Sequence, residues 1–335
     1  GKKVLNTAGE DFGLSLFTAF KTKKQLSSLE LSLFKQNTGF FDWEGLKLEE
    51  NRTIHSANSF DVLNPKQNNM DFNLIHHTSY LINDDKIDVT AGYQRNTTQE
   101  FSDLFDRTGN RAADLKKYID MGGLDLQLVL SVASLRIQYA CNRIPGLSIK
   151  TGMSTQFQVH QKDGFNHILP VYNKSSSGIF AIGRFQFSKI WTANFGARID
   201  HNYVFIEKTL NADPEFGDAI LNGEIKKHFV NASFSGGIVY IPHGDIIFKV
   251  NAGKTFRVPS VYELAAYGLH RHEGRFEKGN QDISPEQGYQ LDLVGDFKWK
   301  TGFLAISPFF SWYSNYLYLN PTPVLRPEGQ VYEYK

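Results

Sequence analysis

The stretch "GYQLDLVGDFKW", Gly288–Trp299, decides how the rest of the chain is read. Tyr289, Leu291, Leu293, Phe297 and Trp299 form an apolar set. Gln290, Asp292, Asp296 and Lys298 form a polar set, with Val294 the one apolar residue among them. Successive side chains of an extended strand point to opposite faces, so the segment has one oily face and one charged face. "LSIKTGMSTQFQVH", 147–160, repeats the pattern, setting Leu147, Ile149, Met153, Phe157 and Val159 against Ser148, Lys150, Ser154, Gln156, Gln158 and His160. "KIDVTAGYQRN" (86–96) and "WTANFGARID" (191–200) alternate in the same way. All four are strands.

Working outward, the alternation predicts twelve strands, at residues 12–20, 26–35, 71–82, 86–95, 122–140, 147–160, 176–187, 191–206, 227–241, 245–255, 288–300 and 303–317. Short turns such as "NDDK" at 83, "PHGD" at 242 and "KTG" at 300 join them in pairs. Between pairs lie long polar excursions, at 36–70, 96–121, 161–175, 207–226 and 256–287. Strict alternation of short and long connections is the habit of antiparallel up-and-down transmembrane β-barrels, with tight turns on one rim and long loops on the other. Phe187, Trp191, Tyr240, Phe248, Trp299 and Phe303 lie close to the short turns, where an interfacial aromatic girdle belongs. A soluble antiparallel barrel or propeller is the competing architecture, and twelve long two-faced strands would give it a very large interior.

Composition removes other classes. The 335 residues carry 36 basic and 35 acidic side chains, a near neutrality that argues against nucleic-acid binding. Cys141 is the only cysteine, which excludes a disulfide scaffold and a cysteine-based zinc site. No apolar run approaches the roughly 18 residues of a spanning helix, a test blind to barrels. Neither a Gly-x-Ser-x-Gly elbow nor a His-Glu-x-x-His helix is present, so the sequence does not read as an enzyme. Lys150, Arg184, Arg198, Lys249 and Lys298 fall on polar faces and are expected to pair with Asp125, Asp200, Asp245, Asp292 and Asp296.

One excursion concentrates metal-ligating chemistry. "GLHRHEGRFEKGN", Gly268–Asn280, brings His270, His272, Glu273 and Glu277 into one short run. His270 and His272 are two apart and share a face in extended chain, and imidazole with carboxylate suits zinc, copper, nickel or iron. The plainer reading is a polar loop that keeps an open rim soluble. His160 and His167 are the further candidates, since His160 ends the polar series of its strand and His167 lies just beyond it. His76 and His77 are adjacent, so a strand would point them to opposite faces. Ahead of the histidines, "PSVYELAAYG" predicts a short helix with Pro259 in its first turn and Gly268 as its stop.

The run Gly253–Leu293 resembles the barrel of TonB-dependent outer-membrane receptors. The resemblance rests on Phe256, Arg257 and Pro259 at a strand end, then Glu263, Leu264 and Gly268. It continues with Phe276, Glu277, Gly279 and Asn280, and with the pair Pro285–Glu286 opening the next strand. "AGYQRNTTQEF" and the Gly196–Arg198–Asp200 strand end are similar to the family as well. Loop 268–280 resembles the zinc or metal-type branch.

The resemblance implies a Gram-negative outer membrane, contact with its lipid and energy delivered through the TonB complex. It also implies a transported metal ion or chelate (siderophore, haem or zinc type), with no cofactor required. Residues 1–335 are then expected to be a partial barrel, without plug or signal peptide, holding roughly half of the about 22 strands such barrels close with. The alternative is a self-contained twelve-stranded barrel acting as passive channel, adhesin or rim hydrolase.

Overall fold

The structure, a computed structural model, describes residues 6–40, 60, 62–102, 112–164, 166, 168–211, 219–270, 275–326 and 329–335. An antiparallel meander begins with β1 (Gly9–Lys21), β2 (Gln25–Gly39), β3 (Lys66–Ile82) and β4 (Asp85–Phe101). It continues with β5 (Leu124–Ile144), β6 (Leu147–Asp163), β7 (Tyr172–Gln186) and β8 (Trp191–Ile206). The hairpin β9 (Thr209–Asn211) and β10 (Ala219–Asn222) stands apart before β11 (Ile225–His243) and β12 (Ile246–Arg257) resume the sheet. Short β13 (Tyr267–His270) and β14 (Arg275–Lys278) leave it again, and β15 (Glu286–Trp299), β16 (Gly302–Ile306) and β17 (Phe309–Ser314) complete it. Outside the main sheet, β18 (Leu319–Arg326) and β19 (Gly329–Tyr334) join β13 and β14 in a separate four-stranded sheet of order β13-β14-β19-β18.

β16 and β17 both pair with β15 and are two halves of one expected strand. Pro308 divides them: it has no N–H to give the ladder, and only its carbonyl is used, accepting from the Leu293 N–H at 3.0 Å. The meander therefore has the twelve passes expected from the alternation. Its connections alternate as expected too, with tight turns at 22–24, 83–84, 145–146, 187–190, 244–245 and 300–301. Among the described residues the sheet stays open, since β1 pairs only with β2 and β16 and β17 only with β15.

Register shows why the two faces differ. Val89, Ile137, Met153, Ile179, Ile199 and Ala232 lie side by side across six neighbouring strands. Ile179 is 65% exposed and Ile199 54%, a placement that disfavours these side chains in water and suits hydrocarbon. One step along every strand, Thr90, Arg136, Ser154, Gly178, Asp200 and Asn231 align on the opposite face. A slip of one residue in any strand would exchange the two rows, so the pattern fixes the register.

Near the short turns, four of the six expected girdle residues, Phe187, Trp191, Tyr240 and Phe248, lie in an unbroken aromatic row. Phe185, Phe187, Trp191, Tyr240, Phe248 and Phe297 follow one another with ring centroids 5.9, 6.3, 4.2, 6.3 and 5.6 Å apart. Phe303 departs from the expectation. It pairs with Lys298, while its neighbour Leu304 pairs with Phe297, so Phe303 stands on the polar face.

The buried apolar core is at the other end. Tyr172, Val204, Ile206, Ile225 and Phe229, at the long-connection ends of β7, β8 and β11, pack with Val261, Leu264, Ala265, Ile283 and Leu317. Val204 and Ile206 follow Asp200 and Asn202 on the polar face of β8, so this core sits inside the curve of the sheet. A module built from 258–285 and 317–335 thus folds inward over the interior face at one rim.

Candidate functional site

The rim module is anchored by the segment that follows β12. Ser260 caps a one-turn helix, Val261–Ala265: its hydroxyl accepts from the Glu263 N–H, and the Glu263 carboxylate accepts from the Ser260 N–H. This reciprocal capping box satisfies two amide donors that a helix start leaves open. The helix is shorter than the sequence predicts. Ser260 is the cap, and Gly268 lies in β13 rather than acting as a stop. Five residues are far too few for an isolated helix in water, so packing of buried Val261, Leu264 and Ala265 holds it.

Arg257, at the end of β12, donates through Nη1 to both carboxylate oxygens of Glu263, at 2.8 and 2.9 Å. Its Nη2 reaches Glu286 at 3.5 Å, and that carboxylate also accepts from the Leu317 N–H at 3.0 Å. One guanidinium therefore joins the end of β12, the helix and the start of β15. Pro259 is fully buried beside this network. The Asn280 N–H donates to the Glu263 carbonyl, and Asn280 Nδ2 donates to the Tyr334 carbonyl at 3.1 Å. A Cβ on Gly279 would lie 2.4 Å from the Ala265 amide nitrogen, so only glycine lets the two backbones approach this closely.

Glu277 lies at the centre of the module and is 1% exposed. Arg275 donates to it through Nε at 2.5 Å, and the Tyr334 hydroxyl at 3.4 Å. Burial, followed by the charge of Glu277, pushes the Tyr334 phenol up to about 12. Burial and a hydrogen bond to Glu277 raise Tyr262 further. Both tyrosines thus stay protonated donors to one buried carboxylate, which the Arg275 charge balances. Arg275 and Glu277 are two apart and share a strand face, a signal visible in the sequence. Tyr262 and Tyr334 carry no such signal: Tyr262 lies in the helix, and the parallel pairing of β14 with β19 brings Tyr334 in from 57 residues away.

Of the sequence-derived ligand candidates, the structure describes the side chains of Glu277 and His160 and the backbone of His270. His270 ends β13, its backbone paired with Arg275 across a β13–β14 hairpin whose tip lies outside the described residues. His272, Glu273 and His167 lie outside the described residues. His160 is 2% exposed beneath the module, its ring stacked on Tyr172 at 4.7 Å and Nδ1 donating to the Pro170 carbonyl at 3.0 Å. Among the described residues, no three His, Cys, Asp or Glu side chains converge as a metal site.

Below the module the interior wall is polar. Arg198 donates to Asp200 through Nε at 2.7 and 2.8 Å and to Ser154 through Nη2 at 2.9 Å. Lys249 pairs with Asp296 at 3.4 Å. The guanidiniums of Arg136 and Arg198 both approach the Phe180 ring, 5.2 and 5.8 Å from its centroid, and the ring packs against Gly152. Charge here is tolerated because this face is turned away from the apolar row.

Solved structures of known proteins share this fold. The crystal structure of the ferric-catecholate import receptor Fiu from K12 E. coli aligns with 97% of this chain and 53% of its own, at 12% identity and a TM-score of 0.63. A structure of the copper transporter OprC aligns with 98% and 49%, at 11% identity and 0.69. The FrpB iron transporter of Neisseria meningitidis aligns with 97% and 47%, at 13% identity and 0.61. At such identity the likeness is one of fold, and the chain spans about half the length of these proteins. No curated protein sequence is a significant match. The family described as "TonB dependent receptor-like, beta-barrel" matches residues 11–333, nearly the whole sequence, and the chain belongs to it.

Proposed function

We propose that this chain forms part of the wall and outer mouth of a receptor in a Gram-negative outer membrane. The receptor binds a small metal-containing ligand, a chelate or an ion, and imports it with energy delivered by TonB. The observation that carries this reading is the module of 258–285 and 317–335, latched by Arg257, Glu263 and Glu286 and folded over a polar inner wall. A ligand arriving from the long-loop side meets that module first. His270, His272 and Glu273 fall at the end of β13 or in the sequence that joins it to β14, and their donor chemistry supports a metal-containing cargo. Glu277, held by Arg275, fixes the base of the same hairpin, and His160 braces Pro170 in the neighbouring connection. His167 belongs to the neighbouring connection. The barrel is a binding and transport device, and no reaction chemistry is assigned to it.

The test is ligand binding by the full-length receptor in detergent or lipid, using ferric catecholates and free copper or zinc as probes. His270→Ala/His272→Ala is expected to weaken one of these probes and leave the barrel folded. Unchanged affinity for all of them removes the hairpin tip from the binding site.

A further inference from the structure

We propose a second metal site, outside the barrel mouth, formed by His201 and His228 on the outward face of β8 and β11. The two histidines are 27 residues apart and on different strands, so no sequence spacing shows them as a pair. Register brings them together diagonally: His201 is opposite Val230, and Tyr203 is opposite His228. Nε2 of His201 lies 3.2 Å from Nδ1 of His228, and the ring centroids are 5.4 Å apart. Such a centroid distance with facing nitrogens means that the rings meet nitrogen to nitrogen rather than lying flat on each other. Two imidazoles sharing one tetrahedral cation, with metal–nitrogen bonds of about 2.0–2.1 Å, hold their nitrogens about 3.3 Å apart. The pair is therefore already spaced to close on a cation by small ring rotations.

Both side chains are exposed, towards the long-connection end of β8 and β11, the end from which hydrated metal arrives. They stand on the face that carries Ile199 and Val230: His201 pairs with Val230, one same-face step beyond Ile199 towards the long-connection end of the strands. Neighbouring groups allow a cation. Tyr203 packs its ring 4.6 Å from His228. Lys226, the nearest lysine on that face of β11, is neutralised by Glu224 at 2.6 Å and lies over the Phe205 ring. On the other side of His201, Ser177 is engaged with Thr155 at 2.8 Å.

Two imidazoles with water completing the shell suit copper(II), nickel(II) or zinc(II), with copper(II) held most tightly in the usual order of affinities. The site would tie β8 to β11 just below the long excursion 207–224, resisting separation of the strands there.

The experiment titrates copper(II) into the full-length receptor in detergent, carrying His270→Ala/His272→Ala so that the hairpin tip cannot contribute. Binding is read by calorimetry and by electron paramagnetic resonance. One equivalent with hyperfine splitting from two nitrogens is expected. His201→Ala and His228→Ala should each remove the two-nitrogen spectrum and that equivalent, with circular dichroism and metal-free heat resistance unchanged. His201→Gln, which keeps a polar side chain of similar reach, serves as a second variant and should lose the same signal. A two-nitrogen spectrum that survives in these variants, or no stoichiometric binding in the parent, overturns the site.

Discussion

Arg257 faces Glu263 six residues away and grips both of its carboxylate oxygens, at 2.8 and 2.9 Å, while Glu263 is 8% exposed. The same carboxylate closes the capping box of the helix, so losing the arginine leaves a nearly buried charge with fewer donors. Arg257→Ala is expected to destabilise the rim module by about 1.5–3 kcal/mol, the range for hydrogen bonds to a charged group. Hydrogen exchange should accelerate over 258–285 while β3 to β6 keep their protection. Uniform exchange throughout would show that the module is not a separate unit.

Gly279 makes a sharper steric test. A methyl group there would meet the backbone of Leu264, Ala265 and Ala266 within 2.7 Å, and backbone cannot swing aside. Gly279→Ala should cost about 1–3 kcal/mol, as overpacking generally does. Gly244→Ala, in a tight turn with nothing within 4 Å of the added carbon, should be close to neutral. Denaturation of the two variants, followed by protease cleavage within 258–285, separates them.

The tyrosines predict an alkaline transition. Tyr334 is pushed up to about 12 by burial and by Glu277, from an unfolded value near 10. A group whose folded pKa is raised stabilises the fold fully below the unfolded value and loses that contribution as pH rises through the folded one. The rim module should therefore hold up to about pH 10 and loosen between about 10 and 12. Exchange or proteolysis of 319–335 across that window checks it; Tyr334→Phe should weaken the dependence, and Tyr262→Phe/Tyr334→Phe should remove most of it.

The sheet predicts unequal costs for one substitution on adjacent residues. Leu291 lies beside Ala252 and Phe310 on the apolar face, whereas Gln290 lies beside Gly253 and Ser311 on the other. Leu291→Lys should cost roughly 2–4 kcal/mol at a mid-membrane depth, and Gln290→Lys little. Folding titrations into lipid vesicles measure both.

The strands are legible because membrane and interior impose opposite demands on alternate residues. Legibility fails where that contrast ends. β3 begins at Lys66 rather than 71, in "KQNNM", where polar side chains occupy both faces and no period of two remains. Pro308 divides an apolar run that alternation alone presents as one strand, although its missing N–H is a readable signal. The residues Arg257, Pro259, Glu263, Gly279, Asn280 and Glu286 are visible through family resemblance, and their roles emerge only from the contacts. The rim sheet itself has the sequence of a polar loop, because β14 pairs in parallel with β19 from the far end of the chain, and no local pattern encodes that partner.

The two-faced sheet is tested most directly by spin labels placed singly at Gln290, Leu291, Asp292 and Leu293, in the full-length receptor in lipid with Cys141 replaced. Collision rates with dissolved oxygen, which concentrates in hydrocarbon, should be high at 291 and 293 and low at 290 and 292. Equal rates at all four positions, or the reverse order, would contradict a wall with lipid on its apolar side.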